Sequence, residues 1–212
     1  GKGGRAELMA SLPAGSRVTG AAWWRGSIVV FTQADTWTCR PSDGTLERCV
    51  ELQVPGGTVF RDNRGGAWVC NGTGVLHGLP ESSARPWVLR LLDARQLSSV
   101  DRERYTVCRL RGGQTCISAY GAGLFVHDAS SGELCRHSAS DRLPLTGSDF
   151  LYEMIEDRSG DIWVGQRNAG LAHLFVVPGG VRRVNGVWAD GRPDEAEIKA
   201  VACAPDGTVW VA

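Results

Sequence analysis

The residues of this chain whose types could do chemistry are seven cysteines, four histidines and a short acidic run. Cys39 and Cys49 lie symmetrically about a turn signal, Asp43-Gly44, and Cys108 and Cys116 lie symmetrically about Gly112-Gly113. Thiols facing each other across a hairpin can form a disulfide in an oxidising compartment. Cys39–Cys49 is the bridge this symmetry favours; the alternative is small apolar side chains buried in strands. Cys70, Cys135 and Cys203 have no partner by spacing, and an odd count weakens the case for a disulfide framework.

His77 and His173 each stand three residues after a Gly that opens a strand, whereas His127 and His137 follow no such rule. Equivalent positions of a repeat are separated in space, so structural or surface roles are expected and no metal is assigned. Asp190, Asp194, Glu195 and Glu197 lack the alternating ligand spacing of a calcium loop and read as a solvated loop. Asn71-Gly72-Thr73 is a glycosylation sequon in form, and its turn-like composition already accounts for it. There is no Gly-x-Ser-x-Gly elbow and no His-Glu-x-x-His pair, and Gly1-Lys2-Gly3-Gly4 has the wrong spacing for a phosphate loop. Neither a catalytic set nor a cofactor is expected.

The elements that must position these residues are strands. The 212 residues include 28 Gly and 8 Trp, and short Val/Ile/Trp/Phe/Thr runs alternate with Asp-Gly, Ser-Gly and Gly-Gly turns. Lys plus Arg equals Asp plus Glu at 23 each, which gives no basic face for nucleic acid. No apolar run reaches the roughly 18 residues of a membrane span, so this segment is not expected to insert in a membrane.

A repeat organises the strands. Met154 to Gly165, Val201 to Val211 and Val59 to Val69 each read as strand, polar turn with Asp and Gly, then a strand bearing Trp three residues after a Gly. Weaker copies place Cys116 and Val29 at the Trp position. The anchors 29, 68, 116, 163 and 210 are spaced 39, 48, 47 and 47 residues apart. A third and a fourth strand follow the anchors of the four full copies. A four-stranded unit of this size cannot bury both of its faces alone, and radial stacking of such units is the propeller solution. The expectation is therefore an all-β chain of β-propeller blades. Four blades fall at residues 17–53, 54–92, 104–139 and 148–187, and a partial one at 197–212. They form one domain interrupted within a blade at both ends, part of a larger propeller. Trp68, Trp163 and Trp210 are expected to fill the space between blades.

The Trp segments resemble the two-component regulator propeller repeat. Asp157, Gly160, Ile162, Trp163, Val164, Gly165, Gly170 and Leu171 match its pattern closely, and Val201 to Val211 matches the first half. Phe60 to Gly74 matches with Cys70 where the family often has Gly, and the copies at Gly26 and Gly113 lack the Trp. The resemblance implies a seven-bladed sensory propeller of bacterial hybrid histidine kinases or diguanylate cyclases. It implies a periplasmic or extracellular position, with a cytoplasmic one left open. It also implies a signalling output domain in the same full-length chain and a ligand that is a polar small molecule or glycan.

Binding in such folds belongs to loops held by a rigid scaffold. The second-to-third-strand loops carry Gln33, Asn71, Tyr120, Gln166, Arg167 and Asn168, which are the candidate ligand-binding residues. The longer connections at 92–104 and 188–197 should overhang the same face. The reading is a non-catalytic sensory module; the alternative is a protein–protein scaffold propeller without a small ligand.

Overall fold

The computed structural model describes residues 8–83, 85–92, 104–177, 180–184 and 199–211. Among them there are strands, turns and bends and no helix, hence no helix long and apolar enough to cross a membrane. The first sheet is β1 (Val18–Trp24), β2 (Ser27–Thr32), β3 (Thr36–Cys39) and β4 (Leu46–Arg48). The second is β5 (Thr58–Arg61), β6 (Ala67–Cys70), β7 (Val75–Leu79) and β8 (Trp87–Arg90). The third is β9 (Tyr105–Arg109), β10 (Gln114–Ala119), β11 (Gly123–Asp128) and β12 (Leu134–His137). The fourth is β13 (Leu151–Glu156), β14 (Ile162–Gln166), β15 (Leu171–Val177) and β16 (Gly180–Val184). A two-stranded sheet, β17 (Val201–Cys203) and β18 (Val209–Val211), follows. Each four-stranded sheet is an antiparallel meander in sequence order, as propeller blades require.

The first hairpin of each sheet is set by its turn chemistry. Arg25 and Gly26 both take positive φ, 54° and 75°, the two-residue turn whose twist matches a hairpin. In the fourth sheet the Asp157 Oδ1 accepts the amides of Ser159 and Asp161, at 2.8 and 3.1 Å. Gly160, at φ 94°, donates its amide to the Asp157 carbonyl. This is the physical content of the Asp-x-x-Gly pattern: the carboxylate mimics a backbone turn and the glycine supplies the left-handed residue. Asp62 and Gly65 repeat the arrangement.

The chain divides into two compact units, one holding the first two sheets and the other the remaining three together with turn residues 62–65. In the first unit, Ala22, Trp24, Val29 and Phe31 pack with Leu52, Val54, Ala67, Val69 and Leu79. In the second, Cys108, Cys116, Leu124 and Val126 pack with Leu151, Met154, Ile162, Val164, Ala172 and Leu174. Each core is formed where the faces of neighbouring sheets meet, and successive first strands adjoin, β1 with β5, then β9 with β13 and β13 with β17.

The three repeat tryptophans are not equivalent. Trp68 is buried, with its ring centroid 6.1 Å from that of Trp87 and with Gly78 leaving room beneath it. Trp163 is half-buried: it stacks on His173, centroids 4.0 Å apart at 7°, and donates its Nε1–H to Asp157 Oδ2 at 2.8 Å. Trp210 is 65% exposed, so the expectation of core packing fails for it.

All seven cysteines are free thiols. The Cys39–Cys49 bridge read from symmetry is corrected by the register: Cys39 faces Leu46, and the Cys49 amide donates to the Thr36 carbonyl. The turn is offset from the midpoint of the two thiols, which leaves them three positions out of step. Cys108 and Cys116 are direct cross-strand partners, buried in the second core where other sheets place an apolar residue and Trp. Burial, reinforced by the nearby Glu156 charge, pushes the Cys108 thiol up to about 12 and raises Cys116 as well.

Two outcomes are expected. Trp68→Ala costs about 3–5 kcal/mol in denaturant unfolding, whereas Trp210→Ala stays within about 1 kcal/mol. In timed reaction with an aromatic disulfide reagent, the half-exposed Cys135 and Cys203 react in the native protein, and Cys108 and Cys116 react only after unfolding.

Candidate functional site

The candidate residues stand at the end of the first hairpin of each sheet, opposite the turn. The last registered pairs there are Val18 with Thr32, Thr58 with Cys70, Tyr105 with Ala119 and Leu151 with Gln166. One step further out lie Gln33, Asn71, Tyr120 and Arg167; Gln33, Tyr120 and Arg167 each stand four residues after the anchors Val29, Cys116 and Trp163, and Asn71 stands three after Trp68. The ladder continues to them: the amides of Gln33, Tyr120 and Arg167 donate to the carbonyls of Arg17, Arg104 and Phe150 at 3.0, 3.1 and 2.8 Å. Each of these three side chains is thus set beside that of the residue preceding its first strand.

In the first unit this position borders a cleft of about 390 Å³ lined by Arg17, Gln33, Asp35, Trp37 and Arg48, with Pro13 to Ser16 as one wall. The Thr32 hydroxyl donates to the Asp35 carbonyl at 2.9 Å and accepts the Asp35 amide at 3.0 Å, which fixes the loop. Arg48 pairs with Asp35 at 3.2 Å and lies over the Trp37 ring, 5.5 Å from its centroid. The cleft so combines a flat apolar ring, an amide, a carboxylate and guanidiniums. Asn71 serves its own turn: its Nδ2 donates to the Pro55 carbonyl at 3.2 Å and its Oδ1 accepts the Thr73 hydroxyl at 2.8 Å.

In the second unit the structure brings Tyr120 and Arg167 together, although 47 residues separate them. Arg167 Nη1 donates to the Tyr120 hydroxyl at 3.2 Å, and that hydroxyl lies 3.4 Å from the Tyr152 hydroxyl. The bond with Tyr152, helped by the Arg167 and Arg104 charges, holds the Tyr120 phenol below the usual tyrosine range. Phe150 and Tyr152 lie 5.1 and 5.4 Å from Tyr120, centroid to centroid.

Gln166 is not a surface contact as the sequence reading has it. It is buried, with Oε1 accepting the amides of Gly147 and Ser148 at 2.6 and 3.2 Å and Nε2 donating to the Ala169 carbonyl at 3.0 Å. It is a positioning residue for the loop entering β13. Asn168 is exposed at φ 56°, the left-handed residue of the same turn. Arg17, Trp37, Arg48, Arg104, Phe150 and Tyr152 are absent from the sequence-based set. Counting outward from the hairpin turn would have found Arg104, opposite Tyr120; it would have missed Arg17 and Phe150, because a register shift intervenes between Val18 and Gly20 and between Leu151 and Met154.

The histidines are corrected in part. His173 faces Trp163, but Gly78 rather than His77 faces Trp68, so His77 and His173 point to opposite faces of their sheets. The ligand atoms of Asp157, Asp161 and His173 lie within 4.8 Å of one another. Both Asp157 oxygens accept bonds from within the sheet, and His173 Nε2 bonds Asp161 Oδ2 at 3.0 Å. These contacts brace the turn against the third strand. The acidic run at Asp190, Asp194, Glu195 and Glu197, and most of both long connections, lie outside the described residues.

No family model and no curated protein matches the sequence. Solved structures do match. The extracellular domain of the hybrid two-component system BT3049 from B. thetaiotaomicron is similar over 95% of this chain, with a TM-score of 0.53 and 14% identity. The extracellular domain of BT4673 from the same organism is similar over 96%, at 0.52 and 16%. This chain spans 27% and 29% of those two domains. Virginiamycin B lyase from Staphylococcus aureus is similar over 94% of this chain and 64% of its own length, at 0.50 and 9%. The fold is that of β-propeller blades. It is shared by extracellular domains of signalling proteins and by an enzyme, so function must be argued from the site.

Gln166→Ala is expected to cost about 1–3 kcal/mol in all, because it removes a buried side chain with its hydrogen bonds to Gly147, Ser148 and Ala169. The comparison of unfolding midpoints with Asn168→Gly, which keeps the turn, checks it.

Proposed function

We propose that this chain is a non-catalytic, ligand-binding input module of a bacterial signalling protein. It lies on the periplasmic or extracellular side and passes a conformational signal to an output domain of the same full-length chain. The likeness to extracellular domains of two-component systems supports the setting. The observation that carries the binding role is the cleft of the first unit, where the half-buried Trp37 stands beside Gln33, Asp35 and Arg48. A ring face takes the apolar face of a sugar or similar solute, and directional polar groups read its hydroxyls. A rigid register keeps these groups in place before the ligand arrives, which lowers the ordering cost of binding.

Calorimetric titration of the chain against a panel of neutral oligosaccharides and small polar solutes tests this reading. One class should bind with 1:1 stoichiometry. Trp37→Ala and Asp35→Asn should each weaken it by about tenfold or more, equivalent to about 1.4 kcal/mol, with little change in melting temperature. A panel without a binder, or binding indifferent to both substitutions, refutes it.

A further inference from the structure

The second unit holds a constellation of different chemistry, and it does not rest on the cleft of the first. We propose that Arg104, Tyr120, Phe150, Tyr152 and Arg167 form a site for a carboxylate borne on a six-membered ring. Three aromatic rings meet here, with Tyr120 between Phe150 and Tyr152. Two guanidiniums lie over them: Arg104 is 4.8 Å from the Tyr120 centroid and 5.7 Å from that of Tyr152, and Arg167 is 5.7 Å from that of Phe150. Stacking engages the flat face of a guanidinium. The forked edge at right angles to that face is the part that matches a carboxylate, two parallel N–H bonds to two oxygens.

The exposure pattern sets this cluster apart from a packing cluster. Packing would bury the apolar rings first, yet Phe150 is 39% exposed and both arginines are at the surface. The scaffold beneath is rigid. The Thr106 hydroxyl donates to the Tyr152 carbonyl at 2.6 Å, and the Arg167 amide donates to the Phe150 carbonyl. The amides of Gly121 and Gly123 both donate to the Asp149 carbonyl, and Gln166 holds Gly147 and Ser148. Residues from two neighbouring sheets are thus fixed before any ligand arrives. An exposed ring face next to two positive charges selects a solute with an apolar ring face and an anionic substituent. The two phenol hydroxyls, 3.4 Å apart, add donors and acceptors at the ring edge.

The shared chemistry can come from a uronic acid sugar or from an aromatic acid, and the arms of the test separate them. The whole chain is titrated calorimetrically with digalacturonate and with 4-hydroxybenzoate. Each is run beside its neutral counterpart, galactobiose or 4-hydroxybenzyl alcohol, and glutarate serves as an acyclic acid. One ring carboxylate should bind about tenfold or more tighter than its neutral counterpart and than glutarate. Arg104→Gln and Arg167→Gln should each cost about tenfold, Arg167→Lys a smaller factor, and Phe150→Ala several-fold. Rising salt should weaken binding. Arg158→Gln, an exposed arginine at the turn end of the same sheet, should leave it unchanged. The proposal is overturned if neither ring carboxylate binds at about 10 mM. It is equally overturned if the neutral counterparts or glutarate bind as well, or if Arg158→Gln weakens binding as much as Arg167→Gln.

Discussion

Everything in this structure depends on the register of the first hairpin in each sheet. A strand has a period of two, so a shift of one residue in the pairing sends every side chain to the opposite face. The shift is prevented at the turn. Asp157 holds its loop with two amides on one carboxylate oxygen, and Gly160 supplies a backbone conformation that a β-carbon disfavours. Once that turn is set, Ile162 and Val164 go to the core and Trp163 goes to the other face; a register shift between Leu151 and Met154 then brings Arg167 opposite Phe150 at the far end. The same chain of consequences runs from Arg25-Gly26 to Phe31 in the core, and a register shift between Val18 and Gly20 brings Gln33 opposite Arg17 at the cleft. Turn chemistry at one end of the hairpin and the register shift near the other thereby position the candidate binding side chains together.

The cores follow from that register, but they do not copy one another. Where the second sheet has Phe60 opposite Trp68 and the fourth has Ile155 opposite Trp163, the third has Cys108 opposite Cys116. Two small side chains replace an apolar residue and a tryptophan, and Leu151, Met154 and Leu174 contribute to the core they share. Packing density must be kept, so volume lost on one face is made up from the next. A residue-type signature can therefore fade in one copy while the architecture persists.

This explains what was legible in the sequence and what was not. The four-stranded sheets were readable because Gly at positive φ and Asp at turn starts are local requirements, visible one copy at a time. Gln33, Tyr120 and Arg167 share a register position for the same reason. What failed was counting across loops of unequal length. The stretch from Trp68 to His77 is one residue shorter than that from Trp163 to His173, and the two histidines face opposite ways. The symmetry of Cys39 and Cys49 about Asp43-Gly44 failed likewise, because the turn is offset from their midpoint. Gln166 looked like a loop amide, but the backbone groups that occupy it belong to Gly147 and Ser148, nineteen and eighteen residues away. Tyr152 had no signal at all, since its closeness to Tyr120 arises between sheets.

A repeat scaffold lets folding and recognition be served by different residues of one short segment. In the fourth sheet, Val164 is core, Gln166 secures the neighbouring loop and Arg167 points outward, all within four positions. The outward position tolerates change because its backbone bond to the facing strand is independent of the side chain. Gln33, Tyr120 and Arg167, with Asn71 one position nearer its turn, show the result: an amide on a cleft, a phenol and guanidinium joined across two sheets, and an amide closed into its own turn. The residue facing each one decides which of these it becomes. Gly57, opposite Asn71, brings no side chain, and a β-carbon there would collide with Val69 and Phe31. Arg17, Arg104 and Phe150 bring charge or an aromatic face. Recognition at this edge is therefore a property of cross-strand pairs rather than of loop residues taken singly.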